Sequence, residues 1–301
     1  MDKYDDWDIV SGVGITALMV AAARAMESTR DDALIDDPYA ESFIRCSETT
    51  VPMPTKWATI NNSANQSETD QQWANYWTVM SGYLGVRSRF FDEYFHDAST
   101  AGVRQVVLLA AGLDTRAFRL SWPERVELFE IDQPKVLEFK DSVLAEQGAL
   151  AGCTRHVVPI DLRADWPETL LGASFDPQRP TAWLAEGLLP YLPGTAAEAL
   201  FAHVHRLSAV GSWFATEYAG TDIRSIRVHN PALQNIYRRL GCDMAALWPD
   251  DDRPDPERWL RDAGWQVTAI NSAQATERYG RTLGEFAGNT VKGTLLTARL
   301  T

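Results

Sequence analysis

Cysteine is scarce. Cys46, Cys153 and Cys242 lie far apart with no CxxC spacing, which excludes a patterned zinc site and a disulfide framework, and the odd count fits a reducing compartment. Positive charge is also short, with 28 Lys and Arg against 41 Asp and Glu for a net charge of −13. Partners bound by neutralising phosphates, whether DNA, RNA or an anionic membrane surface, are poor matches to that balance. No apolar run is long enough for a bilayer: Val13–Ala23 ends at Arg24 and Glu27, well short of the ~20 residues required. Nor does that run read as an export signal, because Asp2, Asp5, Asp6 and Asp8 precede it against only Lys3. A cytoplasmic protein without membrane insertion is expected. GxSxG, HExxH and Walker strings are absent too, so the hydrolase, zincin and P-loop chemistries lack support.

What remains is 301 residues, 45% apolar and 10% aromatic, enough to bury one large core or a core with an appendage. Ile15, Leu18, Met19, Ala22 and Met26 recur at helical spacing, predicting an amphipathic helix over 13–27. Asp37-Pro38 has the pairing that caps and starts a second helix through Phe43. Asn61–Gln72 is polar and aperiodic and reads as a loop. Beyond it Trp73, Trp77, Met80, Leu84, Phe91 and Phe95 share one helical stripe, weakened at Gly82 and Gly85.

From residue 104 short β-branched runs alternate with helical stretches. Gln105–Ala110, Val126–Ile131, His156–Ile160, Thr181–Ala185 and Ser212–Tyr218 read as strands, with helices over Pro134–Gly148 and Thr195–Leu207. Such alternation implies a parallel sheet covered on both faces. A polar, helix-leaning insertion over 220–262 follows, and Trp265–Ile270 and Gly293–Leu300 resemble two closing strands. No internal repeat or low-complexity tract interrupts the chain.

Open α/β sheets bind ligands at the carboxyl ends of their strands, near the switch in strand order. The first strand runs into Ala111-Gly112-Leu113-Asp114, where a glycine admits close approach of a ligand to the backbone. Asp132 closes the second strand, 20 positions after Gly112, about the separation at which an acid meets ribose hydroxyls. Asp161 closes the third strand and Glu186 the fourth. One strand-end acid is an ordinary cap or surface charge, but four aimed at one crevice suggest a site. Their combined charge would repel a pyrophosphate, so the ligand should carry hydroxyls, an amine or positive charge. Arg87 occupies the inward position between Leu84 and Phe91, whereas Arg89 points away. An inward arginine needs an anion, either a core carboxylate or the carboxylate of a ligand. Gly12-Val13-Gly14-Ile15-Thr16-Ala17 matches GxGxxA, but the buried strand this fingerprint requires is not visible in short, acidic Met1–Asp8. His203 and His205, two residues apart on a helix, do not share a face for a metal.

The strings VVLLAAGLDTRAFRL, FEIDQPKVLEFK, VPIDLRADWP and TAWLAEGLLPYLP resemble the leucine carboxyl methyltransferase family, in particular its bacterial branch of S-adenosyl-L-methionine (SAM)-dependent methyltransferases. VGITALMVAAARAMES, DPYAESF and VRSRFFDEYF are similar as well, so the likeness spans roughly residues 10–220, with only a loose match beyond. The resemblance implies an α/β class I methyltransferase fold. It would comprise a seven-stranded, mostly parallel Rossmann-like sheet, an N-terminal helical extension over 1–103, a SAM-binding core over 104–301 and a lid near 220–262. It also implies that Gly112 lets the methionine portion of SAM pass, that Asp132 holds the ribose hydroxyls and that Asp161 with Leu162 contacts the adenine. Arg87 would hold the SAM carboxylate, Glu186 would lie near its amine, and Arg24 would add a further contact. The implied reaction is direct methyl transfer to a small-molecule carboxylate, a lipid-like or aromatic acid, with neither metal nor covalent intermediate. A hydroxyl acceptor would need a base such as His229, Tyr191 or Tyr218. A protein C-terminus as acceptor, a nicotinamide-dependent oxidoreductase and a SAM-binding protein without turnover stay open at this point.

Overall fold

The computed structural model describes residues 9–10, 12–60, 67–220, 228–282 and 292–301. Seven strands form one sheet: β1 (Gln105–Leu109), β2 (Glu127–Asp132), β3 (Thr154–Pro159), β4 (Thr181–Ala185), β5 (Trp213–Tyr218), β6 (Trp265–Asn271) and β7 (Thr294–Leu300). Their order is β3-β2-β1-β4-β5-β7-β6. β1 pairs in parallel with both β2 and β4, and only β7 is reversed, running antiparallel to β5 and β6. The order turns between β1 and β4, so their carboxyl ends open the crevice in which ligands of such sheets sit. This is the expected class I methyltransferase sheet.

β1 and β4 are buried along their whole length, which is why they read as continuous apolar runs. Alternate side chains serve opposite faces. Val106, Leu108 and Leu184 pack against Phe91 and Phe95 of α3 (Glu68–Thr100). After β1 and β2 come α4 (Arg116–Arg119) and α5 (Pro134–Glu146). Val107, Leu109 and Trp183 meet Trp166 of α6 (Trp166–Gly172) and Phe201 of α7 (Gly194–Arg206). A third apolar cluster joins α1 (Gly12–Ser28), α2 (Ala40–Cys46), the first half of α3 and α8 (Pro231–Arg239).

The helical stripe continues through Gly82 and Gly85 without a break. Gly85 is required by its neighbour: a Cβ there would lie 2.6 Å from Glu27 Cδ of α1. Three local expectations are corrected. Asp37 does not cap α2, which begins after Tyr39; its carboxylate is instead taken by Arg24 Nε at 2.9 Å and Thr115 Oγ1 at 2.8 Å. Glu68–Gln72 is helical rather than loop, because Ser67 accepts the Asp70 N–H and starts α3 five residues early, while 61–66 fall outside the described residues. His156–Ile160 is shifted to Thr154–Pro159, with Pro159 ending an edge strand where its missing N–H costs least. In the insertion, 221–227 lie outside the described residues. Its remainder holds α8, α9 (Met244–Leu247) and α10 (Pro256–Asp262), and α11 (Ser272–Arg278) follows β6. Among the described residues no helix is long and apolar enough to cross a membrane.

Candidate active site

A cavity of about 690 Å³ opens at the carboxyl ends of β1, β2 and β4, within the size range of small-molecule sites. Gly112, Asp132, Asp161, Leu162, Glu186 and Arg87 all line it, as do Asp114 and Arg24. Residues as far apart in sequence as Arg24 and Glu186 are thus gathered around one cavity.

The turn after β1 is tightly held. Ala110 (φ 54°) and Gly112 (φ 48°) both adopt the left-handed region, which a non-glycine residue enters only at a cost of roughly 1–2 kcal/mol. Gly112 N–H donates to Asp132 Oδ2 at 2.6 Å and Gln133 N–H to Asp132 Oδ1 at 2.7 Å. Lone pairs of both oxygens remain for hydroxyl donors in the cavity. Burial dominates at Asp132 and outweighs these two hydrogen bonds, so its pKa is pushed up to about 6. From the other side Arg24 Nη2 donates to Leu113 O at 2.6 Å, tying α1 to the same turn. Asp161, by contrast, is held below the usual carboxylate range by its hydrogen bond from Arg163.

Arg87 is 7% exposed, whereas the Arg89 side chain is 50% exposed, which matches the inward position read from the stripe. Its anions are protein carboxylates: Nε meets Glu186 Oε1 at 2.8 Å and Nη1 meets Glu217 Oε1 at 2.7 Å. Glu186 is shared, its other oxygen 2.6 Å from Arg116 Nη1. Burial would raise the Glu186 pKa, but the charges of Arg116 and Arg87 prevail and hold it below the ordinary value. Arg116 also pairs with Asp114 and with Asp92, and Asp114 is lowered to about 2 because that guanidinium overcomes the effect of burial.

Glu217, Tyr83 and Arg116 escaped the sequence reading. Glu217 sits at the end of β5, so the logic of strand-end acids applied to it equally. Tyr83 Oη donates to Glu217 Oε2 at 3.0 Å, one turn before Arg87 on α3. Arg116 lies two residues past Asp114, and its role depends on a partner from α3 that spacing does not reveal. GVGITA forms the first turns of α1, and Gly12, Val13, Thr16 and Ala17 line the cavity wall; Met1–Asp8 lie outside the described residues.

Away from the acidic rim the cavity becomes apolar and aromatic, walled by Val20, Tyr76, Met80, Tyr237, Met244 and Trp248. Tyr191 and Tyr218 also line it, both with phenol pKa values raised, chiefly by burial. His229 does not border it.

A relative from Saccharopolyspora erythraea named "Putative S-adenosyl-L-methionine-dependent methyltransferase" is 53% identical over 267 residues, covering 89% of this chain and 88% of its own. One of the same name from Rhodococcus jostii is 44% identical over 303 residues, covering 98% of each chain. The crystal structure of a "putative methyltransferase" from Thermobifida fusca is similar in fold, with a TM-score of 0.52, 18% identity and coverage of 81% of this chain and 93% of its own. The family model for leucine carboxyl methyltransferase matches residues 17–205. With the sheet, the rim and these relatives agreeing, the chain belongs to the leucine carboxyl methyltransferase family, in its bacterial branch of SAM-dependent methyltransferases.

Proposed function

We propose that this methyltransferase O-methylates a small-molecule carboxylate whose remainder is apolar. One observation carries the reading: a single cavity joins an acidic rim, suited to a cationic nucleoside, to an apolar and aromatic half suited to the acceptor. The donor set fits SAM. Asp132 offers acceptors to ribose hydroxyls, and Asp161 with Leu162 borders the place for adenine. Gly112 leaves room for the methionine portion, Glu186 faces its amine and Arg87 its carboxylate. The rim acids Asp114, Asp132, Asp161, Glu186 and Glu217 outnumber, five to four, the lining cations Arg24, Arg87, Arg163 and Lys292, a balance that favours a positively charged ligand.

When bound, SAM supplies an electrophilic methyl group on a sulfonium. A carboxylate acceptor attacks it with an oxygen lone pair; the O–CH₃ bond forms as the S–CH₃ bond breaks, and S-adenosylhomocysteine leaves. Negative oxygen and positive sulfur become a neutral ester and a neutral thioether, so charge disappears and a dry pocket assists. No proton moves. A phenol or alcohol would need a base, and the raised phenols of Tyr191 and Tyr218 stay protonated at neutral pH. What the protein must supply is alignment, which accounts for roughly 7–11 kcal/mol of barrier in well-oriented reactions. In this reading residues 1–103 act as a cap, since α1 and α3 both wall the cavity. The insertion near 220–262 acts as a lid that excludes water. Labelled SAM with a panel of fatty, aromatic, hydroxyl and amine acceptors tests the claim. Label should pass to carboxylic acids and be released as base-labile ester; transfer confined to hydroxyl or amine acceptors would refute it.

A further inference from the structure

A second cavity, about 280 Å³, lies behind the first. Pro190, Tyr218, Ala219, Trp248 and Pro249 line both cavities, so the two share a wall made by the turn after β4, the end of β5 and the insertion. The floor of the second cavity is apolar, formed by Leu189, Ala197, Phe201, Pro254 and Pro256. Its border carries Asp250, Asp251 and Asp255 together with Arg253.

The space is a built feature rather than a gap between loose loops. Arg253 donates to Leu189 O at 2.8 Å, Pro190 O at 3.0 Å and Pro249 O at 3.1 Å, clipping the insertion to the turn after β4. Asp251 Oδ2 accepts the Gly194 N–H at 2.6 Å. The approach is so close that a Cβ on Gly194 would lie 1.9 Å from Asp252 O. Tyr218 Oη donates to Glu257 Oε1 at 2.6 Å, which fixes the shared wall from the α10 side.

We infer that this second cavity receives the far end of the acceptor, and that the acceptor is therefore an elongated aliphatic monocarboxylic acid. The inference rests on the acceptor reading above. A compact acid would be satisfied by the first cavity, leaving an apolar space behind Trp248 and Tyr218 without use. Trp248 and Tyr218 stand where the two spaces adjoin, and a flexible methylene chain, which has the smallest cross-section and can bend, suits such a junction better than a rigid aromatic body. The three carboxylates outnumber Arg253, whose guanidinium is already taken by three carbonyls and Asp251, so the border repels a second anion and the far end carries no charge.

The experiment is calorimetric binding to the S-adenosylhomocysteine-loaded protein. The probes are straight-chain acids of increasing length, primary alcohols of matched length and α,ω-diacids. Affinity for the acids should rise about fourfold for each methylene buried, then level off when the second cavity is full; diacids of the longer lengths should bind at least tenfold more weakly. Ala197→Leu, which fills the second cavity alone, should move the plateau to shorter chains without changing the affinity for short acids or S-adenosylhomocysteine. Phe201→Leu, which enlarges the cavity, should move it to longer ones and serves if the first variant does not fold. A chain-length profile that is flat in the wild type, or identical in a folded variant, would overturn the inference. The head group is tested separately. Matched alcohols with the same length dependence that alone become methylated would refute the carboxylate reading and leave the tail subsite standing.

Discussion

The backbone N–H of Gly112 donates to Asp132 Oδ2 across 2.6 Å, joining the turn after β1 to the end of β2. Two neighbouring strands thereby present one carboxylate whose backbone partners leave it acceptors for hydroxyls. Asp132→Asn keeps the size but removes the charge and one acceptor. Hydrogen bonds to charged groups contribute about 1.5–3 kcal/mol each, so SAM affinity should fall between roughly tenfold and a hundredfold in calorimetry. Unchanged affinity would remove Asp132 from the site.

The same residue should make SAM binding sensitive to mild acid. Asp132 has a pKa raised to about 6, whereas Asp161 and Glu186 are lowered and Asp114 is near 2, so those three stay ionised between pH 5 and 7. If the ionised carboxylate binds the ribose, affinity is full above pH 7 and lost as pH falls through 6, by about tenfold at pH 5. For folding the sign is reversed. A carboxylate whose folded pKa exceeds its unfolded 3.8 destabilises when ionised, and that penalty is relieved as pH falls from 6 towards 4. Calorimetry in matched buffers should give a pH-dependent affinity in the wild type and a flat one in Asp132→Asn.

Arg87 sits between Glu186 and Glu217, so its removal leaves Glu217 with only the Tyr83 hydroxyl among the described residues, while Glu186 keeps Arg116. Arg87→Met should cost about 3–5 kcal/mol of stability, measured by urea unfolding. In the double variant with Glu217→Gln, part of that loss should return because the carboxylate left without a cation is gone. SAM affinity should not return with it, since no guanidinium remains opposite the ligand carboxylate. Recovery of both together would assign Arg87 a purely structural role.

Gly194 tests the insertion. Gly194→Ala forces its Cβ against Asp252 O and should push residues 249–253 away from α7. Acceptor turnover should drop at least tenfold with SAM affinity within twofold of the wild type. Equal losses in both would count against a lid. Arg253→Met, which removes three donated hydrogen bonds, should act in the same direction.

Gly85 concerns stability alone. Its Cβ would overlap the buried Glu27 side chain, itself paired with Arg281. Gly85→Ala should destabilise by about 1–3 kcal/mol, the usual cost of overpacking, seen as a lower Tm; an unchanged or higher Tm would show that α1 and α3 adjust freely.

Much of the architecture was readable because it rests on local rules. Strands buried on both faces must be apolar throughout, so QVVLL and TAWLA stood out, and strand-end acids followed from the strands. Arg87 was readable because α3 keeps one helical phase through two glycines. What depended on distant partners was not readable. Asp37 has the chemistry of a cap, yet a buried Arg24 from α1 claims it. Arg116 gains its role only when α3 brings Asp92 beside it; Glu217 was open to the same strand-end reasoning, but its pairing shows only when α3 brings Arg87 to it. The apolar half of the cavity was hidden for the same reason, since α1, α3 and the insertion contribute its walls from three separate stretches of chain.

A crystal structure of the S-adenosylhomocysteine complex tests the central claim most directly. The account predicts the ribose hydroxyls on Asp132, the adenine beside Asp161 and Leu162, and the ligand carboxylate on Arg87 with the Glu186 and Glu217 contacts rearranged around it. Electron density for the nucleoside outside this rim, with Asp132 and Arg87 untouched, would contradict it.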